Sequence, residues 1–349
     1  MRLGGEARLN PLYSNGATRI AAVAVLITGG AGYIGSITAD VLVERGHDVV
    51  ILDSLELGYR AAVGDKPFVE GNIADTDLVA KVVAEHGVDA VVHFAAYKAA
   101  GESMVNPGRY FINNVGASAR LIDALADAGV QRVVFSSSAA VYGTPATVPV
   151  SEDATPQPES PYGESKLLVE RMLGWYEQTR ALRSVSLRYF NAAGASLDGH
   201  RGEDWSQALN LVPVAIKATM GASGPLNVFG TNYPTPDGTA IRDYIHVIDL
   251  AVAHAQALDY LAAGGTTTAV NLGTGMGSSV IQVLDAIKRA GGVDAPLEVA
   301  PRRPGDPVAV YADNTRAREV LGWTPQYGLD DIVGSAWRWH QQHPTGYSQ

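Results

Sequence analysis

The chain has 349 residues, 46% of them apolar and 18% charged, enough to bury a substantial core and unlike a disordered polymer. Its 36 acids against 26 bases give a net charge of −10, which repels phosphate backbones, so nucleic acid is not an expected partner. There are no cysteines, no His cluster with metal spacing and no apolar run of the ~18 residues a membrane span needs, so a cytoplasmic protein with no disulfide, metal or membrane attachment is expected.

Residues 1–19 are polar and aperiodic, and the chain up to residue 22 reads as an N-terminal extension. From residue 23 a regular alternation begins. Short apolar runs at 23–28, 48–52, 67–70, 90–94, 132–136 and 184–188 read as strands. Stretches with helical spacing at 33–45, 75–86, 107–128 and 161–179 lie between them, the third opened by an Asn106 cap and Pro107. Strands alternating with helices predict an α/β fold, a Rossmann-type doubly wound parallel sheet over residues 23–188. Residues 189–349 are less regular and richer in Gly and Pro, especially 221–238. They read as a smaller C-terminal substrate lobe, with 269–272 returning to the sheet.

Between the first strand and first helix stands Thr28-Gly29-Gly30-Ala31-Gly32-Tyr33-Ile34-Gly35. Glycines 29, 32 and 35 allow a tight turn and close approach of a pyrophosphate to a helix N-terminus, whose free N–H groups favour an anion. A glycine triplet alone is weak, but Asp53 follows at the end of the second strand, where a carboxylate accepts both ribose hydroxyls and repels the extra phosphate of NADP. NAD is therefore the expected cofactor.

Tyr162-Gly163-Glu164-Ser165-Lys166 places a phenol and an ammonium one helical turn apart. A lysine cation beside the phenol, together with the positive nicotinamide, favours the phenolate, so a depressed tyrosine pKa and a general base are expected. Ser138 ends the fifth strand, at the sheet edge where such folds bind ligands, and can donate to a developing oxyanion.

With these motifs in place the chain resembles the extended short-chain dehydrogenase/reductase family, in its branch of nucleotide-sugar 4-epimerases, over residues 23–346. The matching stretches include Thr28–Gly35, His93-Phe94-Ala95-Ala96-Tyr97-Lys98, Gly101-Glu102-Ser103, Asn113-Asn114-Val115, Ser160–Lys166, Leu187–Gly194 and Tyr233–Val247. The resemblance implies inversion at C4 of a UDP-sugar, UDP-glucose to UDP-galactose and back, with NAD bound throughout. It implies Ser138, Tyr162 and Lys166 as catalytic residues. The implied cofactor contacts are Gly29, Gly32, Tyr33, Ile34, Gly35, Asp53, Asn72, Ile73, Phe94, Ala95, Ala96, Lys98, Asn113, Tyr162, Lys166 and Tyr189. Around the UDP-sugar it implies Ser138, Tyr162, Asn191, Asn210, Leu211, Phe229, Arg242, Arg303, Asp306 and Val310. The two arginines suit a diphosphate held by an acidic protein.

Two positions depart from the family pattern: Asn72 replaces an Asp expected to meet the adenine amine, and Ala140 replaces a Thr near the sugar. Valine at 310, where a tyrosine restricts some members to hexoses, implies room for UDP-GlcNAc and UDP-GalNAc. The resemblance further implies a homodimer in which helices 107–128 and 161–179 pair across a two-fold axis. Alternative readings are a sister epimerase acting on UDP-xylose/arabinose or a uronic acid, a 4,6-dehydratase, and a non-catalytic NAD-binding module.

Overall fold

Val25, Leu26 and Ile27 have no exposed surface. Three consecutive buried apolar residues need cover on both faces, which a central parallel strand provides. They form β1 (Ala24–Thr28), the middle of a seven-stranded sheet. The structure, a computed structural model, describes residues 23–303 and 305–347, and the extension expected over residues 1–22 lies outside them.

The other strands are β2 (Asp48–Asp53), β3 (Phe68–Glu70), β4 (Ala90–His93), β5 (Arg132–Ser138), β6 (Arg183–Tyr189) and β7 (Thr268–Leu272). They run in the order β7-β6-β5-β4-β1-β2-β3, and every pairing is parallel. The chain winds outward from β1 to β3, then returns to lay β4 beside β1. That reversal opens a crevice at the carboxyl ends of β1 and β4, where such sheets bind ligands.

Each face is covered by helices whose apolar stripe meets it. On one side lie α1 (Tyr33–Glu44) and α5 (Val247–Ala262), packing Ala39, Leu42, Leu250 and Leu258 onto Val25, Ile27 and Val92. On the other lie α2 (Thr76–His86), α3 (Ser118–Asp127) and α4 (Pro161–Arg180), packing Val79, Leu121, Leu125, Val169 and Leu173 onto Leu26, Val91 and Val133. Truncating one of these leucines to Ala costs about 2–5 kcal/mol. Both α5 and β7 come from beyond residue 188, so the C-terminal half completes the sheet layer as well as forming its own lobe. In that lobe the helices Leu211–Thr219, Val280–Gly291 and Leu329–Gln342 bury Val212, Ile216, Val283, Ile287, Ile332 and Val333 together. No helix among the described residues is long and apolar enough to cross a membrane.

The expected helix over 107–128 is not uniform. A first turn, Pro107–Tyr110, passes into a π-helical segment, Phe111–Ala117, before α3 begins. Nor does the Asn106 side chain cap it. Asn106 instead ends a preceding helix, Ala100–Val105, that the apolar pattern had not revealed, donating its N–H to the Glu102 carbonyl at 2.9 Å. The corner between two helices leaves its side chain no capping geometry.

Candidate active site

The glycine turn joins β1 to α1. Gly29 has a φ of +76°, and a Cβ there would stand 2.6 Å from the Ala95 nitrogen, so turn and β4 end approach only because it is glycine. A Cβ on Gly35 would stand 2.4 Å from the Gly29 carbonyl oxygen, which packs the first turn of α1 onto the loop. Gly32 is different: its Cβ would meet only the Gly29 oxygen, at 3.3 Å, and the space beyond is the cleft. Protein packing does not demand glycine at 32, whereas a pyrophosphate lying against the backbone does. Asp53 is buried at the end of β2, its oxygens accepting from the Ala31 N–H at 3.0 Å and the Leu55 N–H at 2.8 Å. Each oxygen keeps acceptor capacity for a ribose hydroxyl. Burial raises its pKa, opposed by those two amides. These residues fit an adenine dinucleotide.

One cleft gathers Gly29, Gly32, Tyr33, Ile34, Gly35, Asp53, Asn72, Ile73, Phe94, Ala95, Ala96, Lys98, Asn113, Ser138, Tyr162, Lys166, Tyr189 and Asn210. The Asn72 side-chain carbonyl already accepts from the Ala74 N–H at 2.8 Å, leaving one lone pair for a ligand. Lys98 reaches Glu203 at 2.8 Å.

The reactive constellation follows from strand register and helix docking. β5 and β6 pair Ser138 with Tyr189 side by side at their C-terminal ends. Helix α4 starts beside them, with Ser160 accepting from the Gly163 N–H at 3.1 Å and Pro161 in the first turn. A Cβ on Gly163 would lie 2.4 Å from the Ala140 oxygen, so this glycine lets α4 dock against the turn after Ser138. Ser138, whose hydroxyl accepts from the Ala140 N–H at 3.2 Å, thereby lines the same cleft as the Tyr162 phenol. Lys166, one turn along, donates to the Ser136 carbonyl at 2.8 Å, with its nitrogen 5.9 Å from the Tyr162 ring centroid. The expected depression of the phenol pKa counts on the nicotinamide cation as well as Lys166; from the protein's own groups, burial pushes Tyr162 up, opposed by Ser138. Burial likewise lowers Lys166 to about 7, with Glu170 opposing. Desolvation disfavours the charged form of both groups.

The remaining substrate-side residues sit on the C-terminal lobe. Asn191 donates its side-chain N–H to the Asp243 carbonyl at 2.9 Å, and the next residue back, Arg242, forms an ion pair with Asp306. Arg303 stacks on Phe229 at 3.8 Å from the ring centroid. Leu211 opens its helix and packs partly into the lobe core, away from the cleft lining. Val310 pairs with Arg242 in a short parallel ladder. It packs, partly buried, beside Val141, Tyr142 and Phe190, the residues that follow Ser138 and Tyr189.

Several lining residues carry no sequence signal. Glu203, Tyr59 and Tyr347 face the cleft from aperiodic segments far apart in the chain. Asn114 is a further structural contact: its side chain bonds both backbone groups of Tyr97, at 2.9 and 3.0 Å, and the Ser165 hydroxyl at 3.1 Å. It ties the π segment to the catalytic helix, and the doubled Asn113-Asn114 was its only cue.

A parallel α/β sheet whose switch-point cleft holds a glycine turn, a strand-end acid and a Ser/Tyr/Lys set defines a dinucleotide-dependent enzyme. Residues 26–336 match the family model described as GDP-mannose 4,6 dehydratase. The chain is 44% identical to the UDP-glucose 4-epimerase of Lactobacillus helveticus over 325 residues, covering 93% of this chain and 98% of that one. Its fold superposes on UDP-glucose 4-epimerase from Brucella ovis, solved in complex with NAD, with a TM-score of 0.90 at 43% identity, covering 94% of this chain and 100% of that one. It is also similar to the UDP-Glc/GlcNAc 4-epimerase of Campylobacter jejuni, with a TM-score of 0.82 at 39% identity over 92% and 100% of the two chains. The chain belongs to the extended short-chain dehydrogenase/reductase family and, within it, to the UDP-glucose 4-epimerase group.

Proposed function

We propose that the protein is an NAD-dependent UDP-glucose 4-epimerase that interconverts UDP-glucose and UDP-galactose. The observation that carries this reading is the convergence of Ser138, Tyr162 and Lys166 in the same cleft as the glycine turn and Asp53. The glycine turn, Asp53, Lys98, Asn113 and Tyr189 would hold NAD, which when bound supplies a reversible two-electron acceptor at the sugar carbon. Tyr162 as phenolate takes the proton of the sugar 4-hydroxyl and returns it. Ser138 donates to that oxygen as charge develops on it, and the Lys166 ammonium supports the phenolate. Arg242, Arg303 and Asn191 grip the UDP end. Holding the substrate there leaves the hexose free to present either face of C4 to Tyr162.

The family model's namesake reaction, a 4,6-dehydration, requires a further acid and base next to Ser138. Ala139 and Ala140 stand there and can supply neither. Valine at 310 further supports acceptance of the N-acetylated sugars. Incubation with UDP-galactose should yield UDP-glucose without net accumulation of NADH. A product dehydrated at C6, or stoichiometric NADH, would overturn the assignment.

We also infer a homodimer. Leu121, Leu125, Leu167, Val169 and Leu173 are consumed by the protein's own core. The neighbouring outward side chains Met104, Val105, Ile112 and Trp175 are 63%, 76%, 76% and 66% exposed, an apolar surface that pairing of these helices would cover.

A further inference from the structure

Residues 201–206 leave the C-terminal lobe and run along one side of the cleft, and three separate parts of the chain hold them there. Inside, the buried Glu203 carboxylate pairs with Lys98 at 2.8 Å. Outside, Ser206 and Tyr59 share a hydrogen bond of 2.6 Å, exposed to solvent, that joins this strap to the loop following Asp53. That loop is itself folded back on the glycine turn, because a Cβ on Gly58 would lie 2.8 Å from the Ala31 side chain. Behind the strap, the last described residue clamps it. The Tyr347 N–H donates to Asp204 at 2.9 Å and its hydroxyl to the Gly202 carbonyl at 3.2 Å. The Tyr347 ring stacks on Tyr59 at 5.3 Å between centroids and 26° between planes. Trp339 adds an indole N–H bond to the Glu203 carbonyl at 3.0 Å. Tyr59, Gly202, Glu203, Asp204 and Tyr347 all line the cleft that holds Gly29, Gly32 and Asp53.

Two stretches that line one cleft, around Tyr59 and around Glu203, are thus joined by side chains other than those of the glycine turn and the reacting phenol. We propose that residues 202–206, tied to Tyr59 and Tyr347, form a clasp over the cleft, with Tyr347 as the latch that slows release of the bound dinucleotide. The proposal rests on the reading that the cleft holds NAD. An epimerase restores its cofactor in every turnover and gains nothing from exchanging it, so a clasp that keeps NAD in place suits the reaction. Bonds that must break before the ligand leaves act on the off-rate.

The test measures NAD release from the purified holoprotein. Released NAD is captured by an excess of an NAD-consuming dehydrogenase, and the nucleotide remaining after desalting is extracted and quantified. Tyr347→Ala should release NAD about tenfold faster than wild type, since it loses the hydroxyl's bonds with the Gly202 N–H and carbonyl and the stacking contact, and keeps only the backbone N–H bond to Asp204. Tyr347→Phe, which keeps the ring, should fall between them. Ser206→Ala, which removes the bond to Tyr59 and the hydroxyl's bond to Asp204 at 2.7 Å while leaving Tyr347 in place, should also release faster, and keeps the test open if the alanine variant at 347 folds poorly. Wild-type release rates in both Ser206→Ala and the Tyr347 variants would overturn the clasp while leaving the cofactor reading intact. Wild-type protein that carries no NAD and binds none from solution would overturn the cofactor reading itself.

Discussion

The Lys166 ammonium lies 5.9 Å from the centroid of the Tyr162 ring, one turn along the same helix face, anchored by the Ser136 carbonyl. Burial works against both charged forms, so neither group is set for proton transfer by the protein alone. A cationic nicotinamide beside the phenol would shift the balance toward phenolate and ammonium. Tyr162→Phe should fold, retain NAD and lose about 10²- to 10⁴-fold in turnover, the usual range for a general base. Turnover of UDP-galactose close to wild type would remove Tyr162 from the mechanism.

The same burial has a consequence for stability. Lys166 titrates at about 7 in the folded protein against about 10.4 in an unfolded chain. Between these values the unfolded state binds more protons, so stability rises with pH. The cost of burying the ammonium is fully present below pH 7 and is relieved as pH climbs toward about 10. In cofactor-free protein, Lys166→Met should therefore raise the melting temperature at pH 6, and the advantage should shrink by pH 9.5. A constant difference across that range would show that the lysine's charge is not what burial opposes.

Behind the reactive residues lies a buried ion pair. Glu170 stands one turn beyond Lys166, forks onto Arg188, and accepts from the Ser137 hydroxyl. Arg188 also donates to Tyr142 at 2.9 Å, which in turn bonds Asn271 at 2.7 Å. This chain fixes α4 against β5, β6 and β7. Glu170→Gln leaves the Arg188 cation buried without a compensating charge, and should cost about 3–5 kcal/mol in urea unfolding. A cost under ~1 kcal/mol would mean that water reaches and solvates the guanidinium.

The strand and helix order to residue 188 is legible because a sheet buried on both faces writes each strand as an apolar run, as in Val25–Ile27 or Val91–Val92. The glycine turn and Asp53 are legible for a different reason, since backbone approach and hydroxyl recognition restrict which residues fit. The π segment escapes notice because Phe111–Ala117 has ordinary helical composition. Its geometry accompanies Asn114 bonds to residues 17 and 51 positions away. Glu203 and Tyr347 escape for the same reason in stronger form. Their partners lie 105 and 143 residues distant, in segments with no period to read. The burial that raises the Tyr162 pKa is also invisible in sequence, because spacing shows the neighbouring lysine and not the desolvation of the phenol.

The exposed apolar surface on the helices at 100–117 and 161–180 gives the dimer a test. Light scattering at micromolar concentration should return twice the chain mass. Adding charge with Ile112→Asp and Trp175→Glu should yield a monomer that is still folded, because both side chains point away from the core. A wild-type mass of one chain would end the proposal.

The proposed acceptance of N-acetylated sugars rests on Val310 as a wall of the sugar site. Its partly buried side chain packs beside Tyr142 and Phe190, close to the strand ends that carry Ser138 and Tyr189. The next residue faces elsewhere: the Tyr311 ring stands 3.3 Å from where a Cβ on Gly277 would be. Successive strand residues point to opposite faces, so the tyrosine ring does not take the place of the valine. On that proposal valine leaves room for an acetamido group where tyrosine would not, and loss of apolar contact to the hexose costs only about 1–3 kcal/mol. Wild type should turn over UDP-GlcNAc within about two orders of magnitude of UDP-glucose. Val310→Tyr should lose most of that N-acetyl activity while keeping the hexose reaction. Wild type inactive on UDP-GlcNAc would show that the pocket is closed by something else. A tyrosine variant as active on it as wild type would show that residue 310 does not wall the sugar site.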